Sequence, residues 1–380
     1  MLPLLQEING KINEHIKVES EMEKEIELKD LMGKFSMDAL ASCAFGVDSG
    51  SFSKAQDSEF QKQVKVIFDF GIVQLIQSIV SMITLKPIKK FFHALGFKNF
   101  ATVANLSAFT FFQNVVEASI KQRKESKSRR NDLVDLMIDA LEGKLDEPKE
   151  GSEIKLENKH KREDIDKKSK DISYDSAIST AGILLVAGYD TTGTTMSYAL
   201  YELAINQDCQ DTLFEEIENA KEKGKLTYDA IQSLPYLDAV IHETLRRHPV
   251  VAALERPCSK DYKLPGTDLI IKKGEIVRMN TIGIFFDPDI YPNPEQWNPE
   301  NFSKENRAER NPYSFAAFSL GPRNCLAMRF AIFEMKVAIS DIVSNFKLVP
   351  TSKTNRNLRI DPKSVLGAAE GGLWIKFEER

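Results

Sequence analysis

No stretch of this 380-residue chain reaches the roughly 18 unbroken apolar residues that a membrane-spanning helix needs. Phe68 to Leu85 comes nearest, but Gln74, Gln77 and several small polar residues interrupt it. Met1 opens no signal peptide, since Leu2 to Leu5 is too short an apolar run and lacks a basic leader. The chain therefore reads as soluble or membrane-peripheral. Cysteine is scarce as well. Cys43, Cys209, Cys258 and Cys325 are far apart and form no C-x-x-C metal pattern, which argues against a disulfide scaffold and suits a reducing compartment. Neither glycine nor proline is in excess. The formal net charge is only −5, which argues against bulk nucleic-acid binding.

What is present is mostly helical periodicity. Apolar residues recur at helical spacing over Leu4–Lys17, Leu28–Phe45, Ser58–Ile83 (ahead of the breaker Pro87) and Asn105–Arg123. Residues 142–172 are nearly all charged and read as a solvated surface loop. Tyr174–Tyr201 predicts a long apolar helix carrying the polar cluster Asp190-Thr191-Thr192 near its middle. Pro235–Arg247 predicts a short helix stopped at His248-Pro249. Leu269–Ile271 and Glu275–Met279 predict a hairpin across Gly274, and Gly371-Gly372 a second one. Asp287–Phe302, with four prolines, predicts irregular chain, and a last helix is expected from just after Cys325 to about Phe346.

The segment Phe318-Ser-Leu-Gly321-Pro-Arg323-Asn-Cys325 carries the most chemistry. Gly321-Pro322 sets a tight turn, and an apolar helix follows the cysteine. A thiolate at a helix N-terminus is stabilised by the dipole and by unpaired backbone N–H groups. Phe318 can shield such a sulfur from water, and Arg323 can pair with a carboxylate. Taken alone, a buried free cysteine is the commoner explanation. Glu243 and Arg246 lie three residues apart on one helix face, a spacing that usually marks a surface ion pair. Ala187-Gly188-Tyr189-Asp190-Thr191 combines an acid and a hydroxyl suited to proton transfer. The competing explanation is a broken helix capped by Asp and Thr.

Together these motifs resemble the cytochrome P-450 family. Its cysteine signature is matched at Phe318, Gly321, Arg323 and Cys325, while Ser319 and Ala327 stand where the family usually has glycine. The continuation Met328-Arg329-Phe330-Ala331 resembles the animal microsomal branch that metabolises xenobiotics. The resemblance implies a mainly α fold, a helical triangular prism with small peripheral β-sheets, as a single domain over 1–380. By the same likeness the family's N-terminal part, with its membrane anchor, lies outside this sequence. It implies haem b with the Cys325 thiolate as axial metal ligand. Arg323 and Arg256 would anchor haem carboxylates, while Phe318, Gly321, Ala187 and Gly188 would line the cofactor. Thr191 and Asp190 would manage protons, with Gly188 letting the helix widen. Glu243 and Arg246 would support the proximal side, locked in the family by a third residue, an arginine, at the place of Asn301. Either a neighbour such as Arg307 replaces it, or the proximal scaffold is weakened.

The implied partners are an NADPH-dependent flavin reductase docking on basic residues such as Arg329 and Lys336, a small haem electron carrier, a small apolar substrate and a membrane surface. The implied location is the cytoplasmic face of the endoplasmic reticulum. Val250–Leu254 and Gly367–Glu370 would line the substrate side, and Phe68–Phe100 would frame its access. The implied reaction inserts one atom of O₂ into an apolar organic molecule. Three alternatives stay open: a haem-binding but inactive product, a haem-thiolate isomerase, and a helical scaffold without haem.

Overall fold

The computed structural model describes residues 1–52, 58–68, 106–144, 173–362, 364 and 366–380. The expectations for 69–105, which include most of Phe68–Phe100, and for all but the start of the charged loop 142–172 lie outside them. The rest is mainly α, with small antiparallel sheets. It groups into two compact units, one of Met1–Ala39, Gly50–Asp57 and Gly188–Arg380, the other of Leu40–Ser49 and Ser58–Ala187.

In the first unit, helix α1 (Leu2–Glu21) opens with Pro3, which suits a first turn whose N–H groups have no helical partner. Its buried stripe Leu5, Ile8, Ile12 and Ile16 follows the helical repeat and packs against the last helix. Asn9 donates to the Val337 carbonyl (3.3 Å) and Asn13 to Asp341 (2.7 Å) across that contact. Strand β1 (Ile26–Glu27) leads into helix α2 (Leu28–Leu40), whose end passes into the second unit as a π-helical turn, Ala41–Phe45, closed by Gly46 in the left-handed conformation.

The second unit contains helices α3 (Glu59–Phe68), α4 (Leu106–Ser126) and α5 (Leu133–Leu141). Its polar anchor is the buried Arg123, which binds Asp132 and Asp135. Asp132 also caps α5 by accepting from the Asp135 N–H (3.1 Å). Helix α6 (Tyr174–Ile205) starts in this unit and continues into the first, the division falling between Ala187 and Gly188.

Helices α7 (Gln207–Glu222), α8 (Tyr228–Gln232) and α9 (Pro235–Arg247) follow in the first unit. The chain then forms strands β2 (Ala253–Pro257), β3 (Tyr262–Lys263), β4 (Ile270–Ile271) and β5 (Ile276–Asn280). Short helices α10 (Thr281–Phe285) and α11 (Lys304–Glu309) flank the proline-rich segment, which is irregular apart from a 3₁₀ turn at Pro299–Phe302. Helix α12 (Met328–Asn345) is the last, followed by β6 (Phe346–Pro350) and β7 (Trp374–Glu379).

Two strand pairings differ from expectation. β4 and β5 do not form a hairpin: β4 pairs with β3, and β5 pairs with β2. Gly274 donates to the Cys258 carbonyl and Cys258 to the Glu275 carbonyl, both at 2.8 Å, which draws the chain onto the end of β2. The turn is thereby used to pass between two sheets rather than to close one. Likewise Gly371-Gly372, both with φ near +80°, turns no local hairpin. It delivers β7 to the centre of a β1-β7-β6 sheet, where Ile375 and Phe377 alternate inward.

Helices α2 and α6 meet at two glycines. A Cβ on Gly193 would lie 3.3 Å from the Gly33 Cα and N and from the Met32 carbonyl, all of them backbone. Gly10, on α1, would meet nothing within 4 Å. In denaturant titrations Gly193→Val is expected to destabilise the protein by about 1–3 kcal/mol, through overpacking. Gly10→Ala is expected to stabilise it by about 0.5–1 kcal/mol, through helix propensity.

Candidate functional site

Cys325 lies in a closed loop ahead of α12. Its N–H donates to the Phe318 carbonyl (2.8 Å), Asn324 donates to Gly321 (3.1 Å) and Ser319 to Ala316 (2.9 Å). Ser319 and Gly321 both adopt the left-handed backbone conformation, with φ of 61° and 76°. Such a conformation costs a non-glycine residue roughly 1–2 kcal/mol. Gly321 carries it without strain, and a Cβ there would meet nothing within 4 Å. Cys325 is exposed, so it is not a core cysteine, and its neighbour Leu326 is 83% exposed. Arg323 is exposed on the same loop, and Phe318 is half-buried. Arg256, on β2, donates through Nη2 to the Ser319 hydroxyl at 2.7 Å.

Glu243 and Arg246, on α9, are fully buried and joined by two hydrogen bonds of 2.7 and 2.8 Å. They are therefore no surface pair. Arg246 spends its other donors on the carbonyls of Phe285 (2.9 Å), Pro294 (2.8 Å) and Gln296 (2.9 Å). Glu243 accepts from the Asn298 N–H (2.8 Å) and from the Asn301 amide (3.1 Å). Asn301 thus takes the third place at this carboxylate. Arg307 does not: it reaches Asp238 instead (2.8 Å). Removing one partner of such a buried pair costs about 3–5 kcal/mol, because it strands the other charge.

Asp238 also corrects the expected docking surface. Lys336 is 2% exposed, with its ammonium bonded to Asp238 and to the Gln232 carbonyl, both at 2.9 Å. It can offer no charge to a partner, whereas Arg329 is exposed. His242, 3.3 Å from Asp238, is pushed down to about 4 by burial and stays neutral.

On α6, Asp190 is buried and Lys29 of α2 reaches it at 3.2 Å. Thr191 and Gly188 are half-buried and Ala187 is exposed. Ser36 donates to the Gly188 carbonyl (3.4 Å), and Thr195 to the Thr191 carbonyl (2.9 Å). The helix is unbroken from Tyr174 to Ile205. Asp190 and Thr191 therefore do not cap a break, and Gly188 brings no change of helix type. Further along, Tyr198 donates to the Gly367 carbonyl (2.7 Å), fixing the turn before β7. It also stacks on His248, which is paired with Glu202 at 2.6 Å.

Sequence reasoning missed Lys29, the Ser319 hydroxyl and Glu334. Glu334 had a signal, as the one acid in the apolar run Phe330–Met335. It is fully buried on α12, and neither carboxyl oxygen has a hydrogen-bond partner among the described residues.

The donor set fits haem. A thiol ahead of a helix could serve as a ligand to its iron, and the guanidiniums of Arg256 and Arg323 suit its carboxylates. Among the described residues no group of three or more His, Cys, Asp or Glu could hold a metal ion. Among the described residues no helix is long and apolar enough to cross a membrane.

Burial pushes the Glu334 carboxyl up to about 8, against an ordinary value of 4.5, with the nearby Ser36 hydroxyl acting in the opposite direction. The folded state thus holds a proton that the unfolded state releases. This stability is present in full below pH 4.5 and is lost as pH rises through 8. Glu334→Gln is neutral throughout, so its urea midpoint should fall less than the wild type's between pH 5 and pH 9. Equal falls would contradict the assignment.

The family model for cytochrome P450 matches residues 1–375. The chain is 32% identical to "Cytochrome P450 6B2" of Helicoverpa armigera, over all of this chain and 71% of that protein. It is 32% identical to "Cytochrome P450 6k1" of Blattella germanica, over 99% and 70%. It is 34% identical to "Cytochrome P450 3A2" of Rattus norvegicus, over 96% and 68%.

Proposed function

The chain belongs to the cytochrome P450 family, the haem-thiolate monooxygenases, and from that premise we propose that it oxidises small apolar organic molecules at a haem held by Cys325. The observation that carries this is the exposed thiol at the head of α12, on a loop shaped by Gly321 and tied to an arginine. The family match over 1–375 supports treating 1–380 as one catalytic domain.

In this reading Cys325 would ligate the haem iron through its thiolate, and Phe318 would shield the sulfur. Arg256 and Arg323 hold the haem carboxylates. Gly321 and Gly188 would keep their surfaces small against the cofactor. When bound, haem supplies the iron chemistry that activates O₂, placing one atom in the substrate and the other in water. Thr191 offers a hydroxyl to hold and pass a proton, and Asp190, one residue before it, relays protons from solvent. Lys29 connects the buried Asp190 to the partly exposed end of α2. Glu243 and Arg246 hold the proximal chain by the bonds described above.

Electrons come from an NADPH-dependent flavin reductase, or from a small haem carrier, docking near the exposed Arg329. Val250–Leu254 and the turn fixed by Tyr198 at Gly367 face the substrate. The protein works at the cytoplasmic face of the endoplasmic reticulum membrane, and nucleic acid is not a partner.

The test is turnover of the haem-loaded chain with a flavin reductase, NADPH and ¹⁸O₂ over a panel of apolar substrates. One labelled oxygen per product is expected, with none formed by Cys325→Ser. Rearrangement of an added organic peroxide without NADPH, and no labelled product, would instead identify an isomerase. Haem retention with neither reaction would leave a binding protein.

A further inference from the structure

Arg256 stands in β2 opposite Val277, and is exposed. Its Nη1 donates to the Glu255 carbonyl (2.8 Å) and its Nη2 to the Ser319 hydroxyl (2.7 Å). A guanidinium has five N–H donors in a rigid fork. With two engaged among the described residues, the others are free to meet an anion. An exposed arginine left to itself samples many rotamers, and ordering it on binding has an entropic cost. The bond to Ser319 selects one of them in advance.

Ser319 is an unforced choice only for that bond. At φ 61° glycine is the residue without strain, and glycine is what the matching family motif usually has there. Serine accepts the strain and adds a hydroxyl, and that hydroxyl meets Arg256. The contact spans 63 residues of sequence and joins β2 to the loop that carries Cys325.

We infer that Ser319 is a positioning residue: its hydroxyl clips Arg256 to the cysteine loop, so that the guanidinium and the thiol are presented to haem as one preorganised unit. The inference rests on the reading of Arg256 as a carboxylate anchor. Preorganisation of this kind acts on how long the cofactor stays, because the bound geometry need not be rebuilt after each fluctuation.

The experiment follows haem transfer from the loaded full-length chain to excess apomyoglobin. Wild type is compared with Ser319→Gly, Ser319→Asn, Arg256→Gln and the Ser319→Gly/Arg256→Gln double variant. Ser319→Gly should release haem roughly tenfold faster, the size of one hydrogen bond to a charged group. It should do so although its haem-free thermal midpoint equals or exceeds the wild type's, since glycine relaxes the loop. Ser319→Asn tolerates the left-handed conformation and keeps an oxygen acceptor, so it should hold haem close to the wild-type rate. The double variant should be no faster than Arg256→Gln alone. If Arg256→Gln speeds release while Ser319→Gly does not, or if the two effects add in full, the clip is wrong and the Arg256 reading stands. If Arg256→Gln leaves release unchanged, the anchor reading fails and the clip with it.

Discussion

The buried Glu243–Arg246 pair is the constraint from which the proximal side is built. An ion pair with no exposure survives only when its remaining hydrogen-bonding capacity is met. Here three backbone carbonyls and the Asn298 N–H meet it, all from the proline-rich segment and its approach. An otherwise irregular chain is thereby given one conformation. That conformation seats Phe285, Tyr291 and Phe302 in a cluster with Ala239, against which Phe315 and Ala317 pack. Tyr291 adds a hydrogen bond to the Ser314 carbonyl (3.3 Å). Phe318 and the cysteine loop follow directly along the chain. Charge in the core thus fixes where an exposed thiol stands.

A second set of contacts governs the polar stretch of α6. The close approach of Gly33 and Gly193 brings α2 near enough for Lys29 to reach Asp190 and Ser36 to reach Gly188. These three α2 positions are spaced by four and three residues, the repeat of one helix face. Lys29 and Asp190 form a partly exposed ion pair, whereas burial on α12 keeps the Glu334 carboxyl protonated.

Local signals made much of this legible in the sequence. Pro235 in the first turn and His248-Pro249 after the last bound α9 correctly, and the helix after Cys325 followed from its apolar run. The cysteine loop was readable because Gly321, Arg323 and Cys325 are close in sequence. What escaped was long-range. β5 is drawn onto β2 by bonds between Cys258 and the Gly274–Glu275 turn, and β4, only two residues long, carries no local sign of its partner β3. Lys336 read as a surface charge by type, yet α12 is covered all round from Phe333 to Ser340, and Asp238 compensates its ammonium. By residue type, Asn301 lacks the fork of the arginine expected at its place. Its amide still reaches Glu243, because the 3₁₀ turn at Pro299–Phe302 carries it there.

Thiolate ligation of haem by Cys325 underlies the whole of the proposed function. Its most direct test is the absorption spectrum of the reduced, haem-loaded chain with and without carbon monoxide, beside Cys325→Ser. A strongly red-shifted Soret band is expected on carbon monoxide binding, and the serine variant should lack it. A band shifted only as far as that of histidine-ligated haem, and unchanged by the substitution, would contradict it.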